Sequence, residues 1–389
     1  MIRSTRPWRP GCAAADTFKR FVVPNAPARA VVPVKRPFTA TAHKLGAESL
    51  MSQIVTAYAF AAKPRETPEQ SGEDKNVPLE KELIGKIDPE SELGKWRADL
   101  LEGGDAGEDA LMISKSSSCE SVMMGVADGV GGWTESGIDP SHFSNALLYY
   151  ATQYVEKQAS FPSPKAVLEH AFARVTQDAL VTAGSSTVCL LTLDALKGKL
   201  YSANIGDSGY VHLRPNEEPE GRLEVVGQSP AQLYGFNTPY QLAKVPEEMR
   251  GPGSLSNTPQ DALVEEEELK AGDMVLVMTD GFLDNVHCKL PPKEALTHDA
   301  PQRPELLQLL DMLQDKHREH WATRKHPSTV LEEKQDFTNI VASTLMQYAR
   351  LCQSTEEKVS PFQLDAARYG IYYPGGKVDD IALVCATVV

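Results

Sequence analysis

Short apolar runs and longer amphipathic stretches alternate along the chain, and together they predict strands and helices. Residues 53–62 alternate well enough to form a first strand, whereas 63–95 are charged, contain proline and read as a surface connection. Residues 121–127 are apolar and end in Asp-Gly, which suits a buried strand that delivers an acid at its end. Residues 187–193 and 199–204 flank a hairpin turn at 194–198, and 210–213 and 223–226 extend the same antiparallel pattern. Further strands are predicted at 274–278, ending in Thr-Asp-Gly, and at 380–389. Helices are predicted at 144–158, with Ser144 as cap, and at 164–182, where the apolar positions 167, 168, 171, 172, 175, 179 and 180 form one face. Two more, at 306–317 and 338–352, are joined by a charged stretch at 318–336 that reads as an exposed insertion. Neighbouring strands with helices in pairs between them predict one α+β domain over 47–389, an antiparallel β-sandwich flanked by α-helices.

Charge divides the chain. The first 46 residues hold nine Lys or Arg against one acid, Asp16, a net +8 that leaves −22 on the remaining residues of a chain whose total is −14. An acidic body of this kind repels polyanions, so nucleic acid is not an expected partner. The leader is rich in Arg, Ala and Thr and lacks the apolar core of a secretory signal. It is expected to be a mitochondrial transit peptide over 1–46, and the matrix is the expected location. No run of 18 apolar residues is present, so no transmembrane segment is expected. The six cysteines form no Cys-x-x-Cys pair, which argues against a zinc site or a disulfide framework.

The candidate chemistry lies in acids placed at strand ends or tight turns: Glu108-Asp109, Asp128-Gly129, Asp280-Gly281 and Asp379-Asp380. Magnesium and manganese take oxygen ligands, and a few carboxylates brought from separate strands meet that need. Glycine after the acid lets the chain turn sharply and lets its own carbonyl approach a metal. A single Asp-Gly after an apolar strand is usually only a turn. The ordered set is more specific.

That set resembles the type 2C, metal-dependent serine/threonine protein phosphatases. The likeness runs from Glu108-Asp109 through A-D-G-V-G-G-W, G-S-S-T (184–187), N-I-G-D-S (204–208) and T-D-G to the terminal D-D-I, and spans about residues 53–389. Stretches at 137–144, 236–242 and 375–381 are similar to the mitochondrial subfamily linked to coenzyme Q metabolism. The resemblance implies two Mn2+ or Mg2+ ions bridged by Asp128, with Asp280 and Asp379 completing one site and Glu108 with the Gly129 carbonyl completing the other. Asp109 and Asp380 would support these ligands from behind. The implied reaction is hydrolysis of phosphoserine and phosphothreonine by a water held between the metals, on mitochondrial phosphoprotein substrates, by a monomer. The turns at 184–187 and 204–208 are expected to brace the central strands, and Asp207 to form structural hydrogen bonds.

Two departures stand out. Many members carry histidine where this chain has Val130, so a leaving-group acid is unassigned. No arginine stands just before Glu108, and Arg97 is the nearest candidate to hold the phosphoryl group. These gaps leave open a pseudophosphatase that only binds, and a phosphatase of small metabolites. Intact carboxylates favour an enzyme.

Overall fold

The computed structural model describes residues 53–64, 83–117, 120–251, 253, 255–290, 303–323 and 329–389. The basic leader lies outside them. One five-stranded sheet has the order β1 (Ile54–Ala61), β14 (Ile381–Val388), β13 (Met274–Met278), β7 (Gly209–Pro215) and β8 (Leu223–Gln228). The second has the order β12 (Leu263–Glu268), β6 (Lys199–Ile205), β5 (Val188–Asp194), β3 (Ser121–Asp128) and β2 (Asp109–Lys115). All neighbours in both sheets are antiparallel. Two small pairs accompany them, β4 (Gly184–Ser186) with β11 (Leu242–Lys244) and β9 (Leu233–Gly235) with β10 (Thr238–Pro239). The helices are α1 (Glu92–Leu101), α2 (Pro140–Val155), α3 (Pro164–Gln177), the single turn α4 (Asp280–Leu283), α5 (Glu305–Ala322), α6 (Val330–Gln353) and α7 (Pro361–Arg368).

The period of two along each strand explains how these elements stack. In β13, Val275 and Val277 enter the core between the sheets, with Val126, Leu191 and Val384. Met274, Leu276 and Met278 point the other way and pack with Leu310 of α5 and Val341 and Leu345 of α6. In the second sheet Met123 and Leu190 turn outward to Phe143 and Leu147 of α2 and Leu168 of α3. Both faces of the central strands are therefore buried, which is why those segments read as nearly unbroken apolar runs. The result is the expected sandwich with a helical layer on each outer face.

Several boundaries differ from expectation. Helix α2 starts four residues early, because Asp139 is its cap, accepting from the Ser141 amide, and Pro140 occupies the first helical position. Ser144 is instead fully buried, and its hydroxyl donates to the Glu108 carbonyl at 2.6 Å. Helix α3 stops at Gln177, so Leu180 lies outside it and is exposed. The 318–336 stretch is helical at both ends, since α5 and α6 extend into it and Trp321 Nε1 donates to Asp336 at 3.0 Å. Strand β12 was hidden by its four consecutive glutamates. Alternation settles it, with Glu265 and Glu267 accepting from the Tyr210 hydroxyl, which reaches them from the core between the sheets.

Glu267 also belongs to a buried charged group. His212 is 1% exposed, and its two ring nitrogens lie 2.6 Å from Glu267 Oε2 and 2.9 Å from Asp273 Oδ2. Arg214 donates to both oxygens of Asp273 at 2.8 and 2.7 Å. Both ring nitrogens face carboxylate acceptors, an arrangement that favours the protonated imidazole.

Candidate active site

Antiparallel pairing places the end of one strand beside the start of the next, and this gathers the acids at one end of the sandwich. Asp128 closes β3 and is paired with Asp109, which opens β2. In the other sheet Thr279-Asp280 follows β13, and Asp379-Asp380 precedes its neighbour β14. Thr279 ties the two sheets together: its hydroxyl donates to Asp109 Oδ2 at 2.8 Å, while its amide donates to the Ala382 carbonyl at 3.0 Å. Asp380 is buried and accepts the Lys63 amide at 2.7 Å and the Glu108 amide at 2.9 Å. Asp109 and Asp380 thus fix the backbone that presents the other acids. Gly281 is required here, because a Cβ would run into the Asp380 carbonyl; Gly107, at φ 65°, faces the Asp380 carboxylate in the same way.

Two lysines that sequence reasoning passed over stand within the cluster. Lys377 Nζ lies 2.5 Å from Asp280 Oδ2, 2.8 Å from Asp284 Oδ2 and 3.1 Å from Asp379 Oδ2. Lys63 Nζ lies 2.9 Å from Glu108, 3.5 Å from Asp380 and 3.8 Å from Asp379. Asp284 is also new. Its signal was the D-G-F-L-D spacing, since residues four apart on a helical turn share a face. Lys377 lay in plain view in G-G-K-x-D-D-I, but nothing in the sequence says where a long flexible side chain points.

The electrostatics follow from crowding. Burial first, and then neighbouring carboxylates, push Asp109, Asp128 and Asp207 well above the usual carboxylate range. Burial raises Glu108 as well, with Lys63 opposing it. Asp379 is raised by burial and Asp280 although both lysines oppose, and burial pushes Asp284 up to about 7. Burial by itself would lower the Lys377 ammonium. Asp280, Asp284 and Asp379 outweigh it and hold the group well above its ordinary value.

Other expected residues take different places. Arg97 directs its guanidinium to Asp105 and to the Gly107 carbonyl, both at 3.4 Å, one residue short of Glu108. Val130 donates its amide to the Ser185 carbonyl at 3.1 Å. The 184–187 turn braces the site: Thr187 donates its amide to the Asp128 carbonyl at 3.0 Å and its hydroxyl meets that of Ser208 at 2.7 Å. Asp207 Oδ1 is buried and has no hydrogen-bond partner.

The donor set suits a hard divalent cation. Asp280 Oδ1, like Asp207 Oδ1, is buried without a hydrogen-bond partner, an arrangement that costs about 1–3 kcal/mol or more unless a cation is supplied. Among the described residues no three acidic, histidine or cysteine side chains are already closed into a metal-holding group. The Lys63 and Lys377 ammonium groups lie among these carboxylates and offset part of their charge.

A two-sheet sandwich with helices on both outer faces and carboxylates from both sheets at one end defines a metal-dependent, type 2C phosphatase. The family model for Stage II sporulation protein E (SpoIIE) matches residues 119–329. The protein phosphatase PTC7 homolog fig of Drosophila mojavensis is 35% identical over 287 residues, covering 72% of this chain and 78% of that one. The PTC7 homolog of Xenopus laevis is 30% identical over 290 residues, covering 74% and 84%. Among solved structures, the photosystem II phosphatase PBCP matches with a TM-score of 0.55 at 21% identity, over 86% of this chain and 99% of that one. The chain belongs to the type 2C protein phosphatases, in the group of the PTC7 homologs.

Proposed function

We propose that this chain is a mitochondrial protein serine/threonine phosphatase working with two divalent cations, Mn2+ or Mg2+, as a monomer on phosphoproteins of the matrix, including those of coenzyme Q biosynthesis. The observation that carries the catalytic part is the orphaned Asp280 Oδ1 inside a set of acids drawn from both sheets. Asp128 would be shared by both cations, Asp280 and Asp379 would hold one, and Glu108 with the Gly129 carbonyl would hold the other. The bound cations supply an activated water and positive charge against the phosphoryl oxygens. Asp109 holds Thr279, and Asp380 holds the Lys63 and Glu108 amides, so both keep the acids in register. Arg97, which reaches Asp105 and the Gly107 carbonyl, and Lys63, whose side chain is 39% exposed and reaches Glu108, are the cations that offer positive charge to the phosphoryl group. The location rests on the leader with nine basic residues and one acid, suited to an inwardly negative membrane potential. The coenzyme Q assignment rests on the motifs at 137–144, 236–242 and 375–381.

The purified chain is expected to hydrolyse phosphoserine and phosphothreonine peptides with added Mn2+ or Mg2+ and to fall to background under chelation. Full turnover with metal content verified as nil would refute the mechanism. In cells the protein is expected in the mitochondrial matrix, with a new N-terminus before Gln53. A cytosolic protein that retains Met1 would overturn the location.

A further inference from the structure

Lys377 sits deeper than a surface ion pair and touches more acids than one charge can neutralise. Its side chain is 14% exposed, and its ammonium reaches Asp280, Asp284 and Asp379 at once. The remaining contacts hold it there: Asn237 Oδ1 lies 3.4 Å away, the Phe362 ring lies beneath it, and the Lys377 amide donates to Asn285 Oδ1 at 3.0 Å. Asn285 in turn donates to the Gly281 and Lys377 carbonyls at 2.9 and 2.8 Å, so the Asp280 turn and the Lys377 loop are one hydrogen-bonded unit. These bonds fix the Lys377 backbone beside the Asp280 turn and keep the three carboxylates within reach of its ammonium. Asp280 meets it through Oδ2 only, and leaves Oδ1 buried and unpartnered beside it.

We propose that Lys377 is a tethered counter-cation that competes with divalent metal for Asp280 and Asp379 and thereby sets the metal concentration at which the site fills. This rests on the metal-dependent reading above. In the metal-free protein the ammonium screens the three carboxylates from one another. When metal arrives, it must share Asp280 and Asp379 with a fixed positive charge a few ångströms away, inside a region where such charges interact strongly. The chain holds its acids together without metal at the expense of metal affinity.

The test is Mn2+ titration of the full chain by calorimetry, with thermal melting of the metal-free protein alongside. Lys377→Met is expected to bind Mn2+ about tenfold tighter or more, to melt lower than wild type without metal, and to show the larger rise in melting temperature when Mn2+ is added. Lys377→Arg keeps the charge and is expected to retain weak binding. Lys377→Gln, which supplies an uncharged N–H donor on a slightly shorter side chain, serves if the methionine variant does not fold. Equal or weaker Mn2+ binding by the neutral variants overturns the proposal while leaving the phosphatase reading intact. Absence of Mn2+ uptake by wild type and variants alike overturns both.

Discussion

Replacing Asp128, Asp280 or Asp379 with Asn is expected to lower kcat/KM on a phosphoserine peptide by about 10²–10³-fold in each case, with the fold retained. The three positions share a physical situation. Burial and neighbouring acids raise Asp128 and Asp379, and Asp280 is itself among the neighbours responsible. Removing one negative charge from such a set relieves repulsion, so the metal-free variants should melt near wild type or above it. Asp128→Asn gives the clearest readout, because it has none of the lysine contacts described above and the amide mimics the neutral form that its surroundings already favour. Asp280→Asn removes one negative charge from beside Lys377 but leaves it Asp284 and Asp379. Activity and metal-free melting temperature therefore separate in all three. A parallel loss of both would identify the carboxylates as structural.

His212→Ala is expected to destabilise the protein by about 3–5 kcal/mol, because it leaves Glu267 and Asp273 without the cation between them. The pH dependence gives the second signature. Burial would lower the His212 pKa, but the hydrogen bonds and charges of Asp273 and Glu267 outweigh it, and the folded value lies above the ordinary one near 6.5. The stability this supplies is complete below that unfolded value and is lost as pH rises through the folded one. Asp273 and Glu267 are shifted the opposite way, each lowered by its partners against the effect of burial. Their contribution is present above the ordinary carboxylate range and is lost as pH falls through the depressed values. Urea midpoints measured from pH 6 upward should decline in wild type more steeply than in His212→Gln, which has no proton to lose. Midpoints that run parallel to His212→Gln, or that rise with pH, would show that folding does not raise the affinity of this imidazole for its proton.

How much of this was open to sequence reasoning depends on the range over which each feature is set. The central strands were legible because residues such as Val275 and Val277 on one face and Leu276 and Met278 on the other are all apolar. A strand buried on both sides leaves that mark locally. The acids Asp128 and Asp280 were legible because an acid followed by glycine at the end of an apolar run is a local pattern, and at Gly281 the glycine answers to a contact with Asp380. Strand β12 escaped because an edge strand needs few apolar residues, and its glutamates owe their inward positions to Tyr210 and His212, more than 50 residues away. The cap of α2 escaped because Asp139 and Ser144 are both acceptable caps by type, and only the path of the chain past Glu108 chooses between them.

Sequence alone determined that the chain carries a sandwich core and a set of strand-end carboxylates suited to hard cations, since both depend on residue type and on spacing along the backbone. Tertiary structure alone decided what neutralises those carboxylates. Lys377 meets Asp280 across 97 positions, and the Lys63 amide meets Asp380 across 317. A lysine side chain has four rotatable bonds and no pattern that announces its partner, so its place is set by the fold that brings the acids to it.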